Sequence, residues 1–331
     1  MKKFYDLSEQ RRLDIYNQVS NLTGLPPAAI EKDWWVTLTL KAIFSLSFAD
    51  HIVFKGGTSI SKGWNLIERF SEDIDLVLDR TFIGFPGELS KGEIRRLRKA
   101  SCNFISNDFP KQLEHVLQDI GISKFELSVK EYDASDTDPV EVQLYYGSIT
   151  EKSDYLLPRV LIEVGSRSLI EPVTERPIQS ILSETFPTQK FTDSPVNIPI
   201  VLPKRTFLEK AFLLHEEFQR PLEKMILERK SRHLYDLEKM MDTTHGIGAL
   251  KDVDLYRSIV EHREKYAHLS EVDYSTHSPD KINFIPPDEL IRKFDADYTD
   301  MQENMIYGES LPFYKLIERL KELQNRFRNM S

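Results

Sequence analysis

Apolar positions along the chain change their spacing twice, from helical to alternating and back to helical. Residues 8–21 and 27–46 are predicted helices, because in the second of them Ile30, Trp34 and Leu38 recur every four residues. The spacing then shortens to the alternation that is typical of strands. Predicted strands occupy residues 51–57, 73–79, 124–132, 140–149 and 159–167.

The segments between these strands are less regular. Residues 58–67 favour a helix, whereas the glycines and proline of residues 80–98 predict a loop, followed by a helix to about Gln118. Prolines punctuate residues 171–202, so that stretch is expected to be irregular, with one short strand near Ile198–Leu202.

From Pro203 onward the pattern is helical, and in the last predicted helix Leu316, Leu320, Leu323 and Phe327 share one apolar face. The predicted helices are residues 204–219, 231–243, 252–267, 288–306 and 312–329. Strands followed by helices indicate an α+β fold with a helical C-terminal domain. The predicted domains are N-terminal helices (1–46), an α/β core (47–202) and a helical C-terminal domain (203–331).

Composition limits the class of protein. The 331 residues are 40% hydrophobic and 29% charged, which excludes a broadly disordered chain. There is one cysteine, Cys102, so no internal disulfide is expected. The sequence has no apolar run of membrane-spanning length and its start lacks the apolar region of a signal peptide, so we expect a soluble, cytoplasmic protein without membrane contacts.

The stretch that carries chemistry begins where the first strand runs into two glycines. Gly56 and Gly57 allow the backbone to approach a ligand closely, and Thr58 and Ser59 open the helix that follows. A helix N-terminus offers unpaired N–H groups and a partial positive charge. These features predict a phosphate site.

Two acids follow on the next predicted strand. Asp73 and Asp75 are two residues apart, so both carboxylates face one side, about 6–7 Å apart along the strand. Carboxylates on one side repel unless a cation lies between them. Mg²⁺ binds through carboxylates and substrate phosphates, and two such ions would clamp a phosphoryl displacement. Each motif alone is common on ordinary surfaces; their combination between residues 54 and 76 favours a functional site.

This combination resembles the nucleotidyltransferase fold of the DNA polymerase β superfamily, in which a Gly-[Ser/Thr] turn precedes Asp-x-Asp on the next strand. The resemblance implies a mixed sheet of that type and a third carboxylate from a later strand. Glu163 is the favoured candidate because it lies among apolar residues, where an acid is unfavourable unless paired or metal-bound. Glu141, on a more polar strand, is the alternative.

The resemblance narrows to the AbiEii/AbiGii toxin family, the nucleotidyltransferase toxins of type IV-like toxin–antitoxin and phage abortive-infection systems. It spans most of the chain, and Thr58 stands where the superfamily often has serine. The similar segments are EKDWWVT (31–37), FKGGTSISK (54–62), RFSEDIDL (69–76), TFLEKA (206–211), RHLYDL (232–237) and DYTDM (297–301). The implied site has Asp73 and Asp75 on the metal, Lys210 on the triphosphate of an NTP, and Asp236 completing it; the implied partner is a cognate antitoxin.

Each of these later residues also has an ordinary structural interpretation. Lys210 lies beside an apolar helix face, where a lysine commonly extends its amine to water. Asp236 lies four residues after Arg232 and would form an intrahelical ion pair. In the implied site it would instead orient Lys210 or an arginine, or accept the proton of the acceptor. Ser71 either caps its own turn or contacts the γ-phosphate. Lys62 is a candidate nucleotide ligand, and Lys55 and Arg69 would likewise place positive charge near a triphosphate or at the surface.

The acceptor is the least constrained part. The net charge of −9 argues against a general nucleic-acid coat protein but does not exclude a local basic groove. Two basic stretches would bind an RNA backbone if they line a cleft, and otherwise are solvated helix faces. They comprise Arg95, Arg96, Arg98 and Lys99, and then Arg220, Lys224, Arg229, Lys230 and Arg232.

The sequence therefore predicts a Mg²⁺-dependent enzyme that transfers NMP from an NTP to RNA, such as the 3′ end of tRNA. Two alternatives stay open: a nucleotidyltransferase that modifies a protein or small molecule, and a nucleotide-binding interaction module without turnover. The eight histidines show no H-E-x-x-H spacing, and Cys102 has no evident base partner, so zinc-hydrolase and cysteine-nucleophile chemistry are not favoured.

Overall fold

A computed structural model describes residues 1–151, 156–167, 172–267 and 269–330. The chain divides into two compact units, one of residues 1–64 and 70–201, the other of residues 65–69 and 202–331. The described residues confirm the predicted α+β class, with a mixed seven-stranded sheet in the first unit and helices in the second.

The first unit contains the sheet and the N-terminal helices. Its strands run in the spatial order β3-β4-β5-β2-β1-β7-β6, in which β2 pairs with β5 and β1 with β7 in parallel and the other neighbours are antiparallel. The strands are β1 (Ile52–Lys55), β2 (Asp73–Leu78), β3 (Phe125–Val129), β4 (Val140–Tyr146), β5 (Arg159–Gly165), β6 (Val173–Ile178) and β7 (Val196–Val201). The helices are α1 (Lys2–Tyr5), α2 (Glu9–Thr23), α3 (Pro27–Ile43), α4 (Gly56–Lys62), α5 (Lys91–Asp119) and α6 (Ile181–Thr185).

Helix α3 lies at the centre of this unit. It contacts β2 and β5, and almost every side chain from Ala29 to Ile43 is buried. Trp34 and Trp35 stack edge to face at 5.2 Å, and Trp35 lies parallel to the ring of Tyr146 at 4.8 Å. A helix that is buried on all sides is a core element, so α3 can hold the strands around it in place.

The second unit is helical. Along one face of its last helix, Leu316, Leu320, Leu323 and Phe327 are fully buried, as their spacing predicts. The helices are α7 (Pro203–Glu217), α8 (Ser231–Met240), α9 (Thr244–Ala249), α10 (Val253–Tyr266), α11 (Ile291–Asn304) and α12 (Phe313–Arg328). None of the helices in the described part of the chain combines the length and apolarity needed to cross a membrane.

Three sequence predictions were wrong. The stretch 171–202 contains β6 and α6 as well as β7. Pro177 is compatible with β6 because β6 is the last strand of the sheet and pairs on one side only. The loop predicted over 80–98 ends at Ser90, where Ser90 and Glu93 form a reciprocal capping box that starts α5. The helix predicted over 58–67 ends at Lys62. Residue 171, at which the stretch predicted to be irregular begins, lies outside the described residues, as do residues 168–170.

Candidate active site

Strand β2 presents the two predicted metal-binding acids on one face. Asp73 and Asp75 are half-buried, whereas Ile74 and Leu76, which alternate with them, are fully buried. The alternation arises because successive side chains of a strand point to opposite faces of the sheet. The same face therefore carries both carboxylates, as the sequence predicts.

The register of the sheet extends this pair into a row of charges. Asp75 lies opposite Glu163 on β5, and Glu163 lies opposite Glu141 on β4. On the other side Asp75 lies opposite Lys55 of β1. Neighbouring strands are about 5 Å apart, so Glu163 is adjacent to Asp75 and Glu141 is one strand further away. Glu141 also pairs with Lys130 at 3.1 Å, so the register favours Glu163 as the third carboxylate.

The carboxylates of β2 are the kind of donor that binds a divalent cation whose remaining ligands come from a substrate. Within residues 1–151, 156–167, 172–267 and 269–330, no three acidic, histidine or cysteine side chains are grouped so that they would hold a metal ion together. Mg²⁺ does not require such a group, because it usually takes one or two carboxylates together with substrate phosphates. Asp73 and Asp75 supply two such carboxylates; metal binding by them and by Glu163 stays a prediction.

Gly56 provides the space that Asp75 occupies. The backbone of Gly56 has a φ of +78°, and a Cβ atom at this position would lie 1.8 Å from Oδ2 of Asp75. No other residue combines this left-handed conformation with so little volume. The first glycine of the Gly56-Gly57 pair is therefore required for the acid to lie against the start of α4.

The hydroxyl groups that follow connect α4 to β2. Thr58 and Ser59 are fully buried. The Thr58 hydroxyl lies 2.9 Å from the Ser71 hydroxyl and 2.5 Å from the carbonyl oxygen of Asp73. Ser59 donates to the carbonyl of Gly56 at 2.8 Å. These contacts give the hydroxyls a structural role, and phosphate binding by Thr58, Ser59 and Ser71 stays a prediction.

Lys62 has a structural partner that the sequence does not reveal. Its amine pairs with Asp33 of α3 at 2.5 Å and donates to the carbonyl of Gln179 at 3.1 Å, and its side chain is 9% exposed. The amine is thus engaged within the first unit, and nucleotide binding by Lys62 would require it to leave these partners.

In the second unit Asp236 joins two buried cations. Nε and Nη2 of Arg69 each donate to one of its carboxylate oxygens at 2.7 Å. Nζ of Lys210 lies 2.6 Å from Oδ2 of the same carboxylate. All three side chains are at most 5% exposed. The bidentate geometry suits the planar guanidinium of arginine.

In this cluster, Arg69–Asp236–Lys210, two cations share one carboxylate. Burial alone would raise the pKa of Asp236, but the charges and hydrogen bonds of Arg69 and Lys210 outweigh it and lower this pKa from 3.8 to about 2. Burial lowers the pKa of Lys210, which Asp236 opposes. Burial and nearby cations also hold the pKa of His233 well below 6.5, so His233 adds no charge at neutral pH.

The structural interpretations offered for Lys210 and Arg69 do not hold. The amine of Lys210 is turned inward to Asp236 instead of extending to water, and Arg69 is 1% exposed instead of lying at the surface. No pattern in the sequence connects Arg69 to Asp236, which is 167 residues away. A further residue that sequence reasoning left without a role is Asp297, whose carboxylate accepts from the backbone N–H groups of Arg229 and Ser231 at 2.6 and 2.9 Å and so holds the start of α8.

The basic run of the first unit lies on helix α5. Arg95, Arg96 and Lys99 are exposed, whereas Arg98 is half-buried, donates to the carbonyl of Asp136 at 2.8 Å and pairs with its carboxylate. Arg95, Arg96 and Lys99 are therefore exposed to a ligand, although Arg96 shares its charge with Glu93 at 3.8 Å, whereas Arg98 has a structural partner.

The basic residues of the second unit are more strongly neutralised. Arg220 pairs with Glu217 at 3.2 Å and with Glu271 at 3.5 Å. Lys224 also pairs with Glu271. Since acids accompany these cations, this stretch is a weaker candidate for binding a phosphate backbone.

Comparison with known proteins identifies the family. The model of the family described as "Nucleotidyl transferase AbiEii toxin, Type IV TA system" matches residues 39–326. A search of curated proteins found no match. Among solved structures, MenT4, nucleotidyltransferase toxin Rv2826c from Mycobacterium tuberculosis H37Rv, is 14% identical with a TM-score of 0.45, over 96% of this chain and 99% of that chain. JHP933 from Helicobacter pylori is 14% identical with a TM-score of 0.40, over 90% and 92%. On the family match, this chain belongs to the AbiEii family and is a nucleotidyltransferase toxin of a type IV toxin–antitoxin system.

Proposed function

We propose that this toxin transfers NMP from an NTP to RNA in a Mg²⁺-dependent reaction, with the 3′ end of tRNA as its acceptor. The observation that carries the proposal is the acid pair of β2, where Asp73 and Asp75 are half-buried on one face with Glu163 next to Asp75 in register. Family membership supplies the reaction class and implies an NTP and an antitoxin as partners.

In this reaction an acceptor hydroxyl oxygen bonds to the α-phosphorus of the NTP, the bond from that phosphorus to the bridging β-phosphate oxygen breaks, and pyrophosphate leaves. The hydroxyl proton passes to solvent. When bound by Asp73, Asp75 and Glu163, two Mg²⁺ ions would supply charge neutralisation and a more acidic hydroxyl.

The Arg69–Asp236–Lys210 cluster would counter the charge of the triphosphate. Its two cations, Arg69 and Lys210, lie in a buried site, where electrostatic interactions are strong. Asp236 is a poor proton acceptor because its pKa is about 2, far below neutral pH. We therefore assign Asp236 to holding Lys210 and Arg69 in place and not to proton transfer.

The RNA acceptor is supported by the exposed part of the basic run on α5. Arg95, Arg96 and Lys99 lie within five residues of one another and are exposed, on a chain whose net charge is −9. Such a local patch attracts a phosphate backbone in spite of the overall charge.

The test is to incubate the protein with each labelled NTP, Mg²⁺ and total RNA. We expect label in a tRNA-sized band, which disappears with a chelator and in the Asp73→Ala variant. Glu126→Ala is the matched control, because it removes an exposed acid from β3 at the edge of the same sheet. Near-normal transfer by Asp73→Ala would refute the metal assignment, and label on a protein or small molecule in place of RNA would refute the acceptor.

A further inference from the structure

Three consecutive charged residues are buried on helix α3. Glu31, Lys32 and Asp33 are only 2%, 3% and 2% exposed. Charged side chains are almost never buried to this extent unless they are paired. Successive residues on a helix point about 100° apart, so these three reach different parts of the first unit.

Lys32 reaches the residue that precedes the acid pair. Its amine forms a buried ion pair with Glu72 and donates to the carbonyl of Leu157 at 2.9 Å. Glu72 is 5% exposed and shares the buried side of the chain with Ile74, whereas Asp73 is half-buried. The ion pair therefore fixes the chain where it enters β2, one residue before the first metal-binding acid.

Asp33 reaches the helix on the other side of the acid pair. It pairs with Lys62 at 2.5 Å and accepts from the backbone N–H of Ile181 at 2.7 Å. Lys62 is the last residue of α4, and Asp75 lies against the first residue of that helix, Gly56. Asp33 thus fixes the helix whose start confines the second metal-binding acid.

Glu31 holds the loop that follows β4. It accepts from the hydroxyls of Ser148 and Thr150 at 2.6 and 2.8 Å and from the backbone N–H of Ile149 at 3.0 Å. Each of the three charges therefore has its own partner segment in the sheet unit.

We propose that Lys32 and Asp33 are positioning residues for the metal site, acting through Glu72 and Lys62 to set the separation and direction of the Asp73 and Asp75 carboxylates. The inference rests on the proposed function, because it assumes that these acids bind a divalent cation. Buried ion pairs are commonly no more stabilising than apolar residues of similar volume. Groups that orient metal ligands typically change metal affinity 10- to 100-fold when they are removed.

The experiment replaces both partners of one ion pair, so that no buried charge is left unpaired. Lys32→Met with Glu72→Met keeps the side-chain volume similar. Binding of Mn²⁺ alone to the full-length protein is titrated by electron paramagnetic resonance, with thermal unfolding measured in parallel. We expect the double variant to stay folded and its Kd for Mn²⁺ to rise at least tenfold.

The matched control is Lys41→Met, which removes a lysine from the same helix. Lys41 donates to the carbonyl of Ser194 and not to a residue next to the acid pair. The Kd of the Lys41→Met variant for Mn²⁺ should therefore equal that of the wild type. If the double variant does not fold, Asp33→Asn with Lys62→Gln tests the other arm, since asparagine still accepts from Ile181. The same tenfold weakening is expected there.

The outcomes separate this inference from the proposed function. If the wild type binds no Mn²⁺, or Asp75→Ala binds it equally well, the metal assignment fails and the inference fails with it. If the wild type binds Mn²⁺ through Asp75 but the folded double variant binds it with an unchanged Kd, the positioning role is wrong and the proposed function stands.

Discussion

Replacing Asp236 with asparagine should strongly destabilise the second unit. Asparagine keeps the shape of the side chain but removes the negative charge that Arg69 and Lys210 share. The variant would leave two cations buried side by side. It therefore tests whether the cluster is held together by charge, as the geometry indicates.

The pKa of Asp236 gives one part of the expected loss of stability. Its fall from 3.8 to about 2 corresponds to about 2 kcal/mol in favour of the ionised form in the folded protein. Breaking a buried ion pair by removing one partner costs about 3–5 kcal/mol, because it strands the remaining charge. We expect Asp236→Asn to lower the free energy of unfolding by about 3–5 kcal/mol at pH 7.

The pH dependence of the stability tests the contribution of ionised Asp236 independently. Because the pKa of Asp236 is lower in the folded than in the unfolded chain, its stabilisation is complete above about pH 4 and is lost as the pH falls towards 2. The difference in stability between the wild type and Asp236→Asn should therefore shrink by about 2 kcal/mol over that range. At neutral pH it should be constant.

Urea unfolding followed by far-ultraviolet circular dichroism measures both effects, since the second unit is helical. Asp242→Asn is the matched control. Asp242 also pairs with two cations, Arg319 and Arg326, but its side chain is 57% exposed. An exposed pair contributes less than about 1 kcal/mol. Equal losses in the two variants would refute the buried-charge account of Asp236.

Two further predictions concern the first unit. Gly56→Ala should abolish Mn²⁺ binding and transfer, because its Cβ would displace the carboxylate that lies 1.8 Å from that position; Gly87→Ala, with a similar φ of +72° but open space, should leave both intact. Replacing Arg95, Arg96 and Lys99 together by alanine should weaken tRNA binding and lower its slope against log salt by about 2–3, without changing NTP affinity; an unchanged slope would exclude this patch as the acceptor site.

Local rules were sufficient for the parts of the fold that depend on spacing. Alternation predicted a strand over 73–79, and β2 occupies Asp73–Leu78. Helical periodicity predicted 312–329, and α12 occupies Phe313–Arg328. The start of α5 is also predictable from the sequence, because Ser90-x-x-Glu93 is a capping-box pattern. The glycines before it favour a loop and so hide this signal.

Such local rules do not predict which distant charged residues pair with each other. Lys32 pairs with Glu72 across 40 residues, and Arg69 pairs with Asp236 across 167. A sequence pattern reports which face of an element is buried but not which distant charge meets it there. The ordinary assumption that a lysine or arginine lies in solvent is therefore wrong where burial forces each charge to find a partner.

The Arg69–Asp236–Lys210 cluster and the Lys32–Glu72 ion pair should respond differently to these substitutions. In Lys32→Met with Glu72→Met both charges leave together, so the core gains apolar contacts and loses the direction that the pair imposed, along with the hydrogen bond from Lys32 to the carbonyl of Leu157. In Asp236→Asn one charge leaves and two remain, so the fold itself is weakened. Charged residues whose role is to stabilise the fold should lower the free energy of unfolding when they are replaced. Charged residues whose role is to place functional groups should weaken Mn²⁺ binding when they are replaced, even where stability is kept. This is the result expected for Lys32 and Glu72.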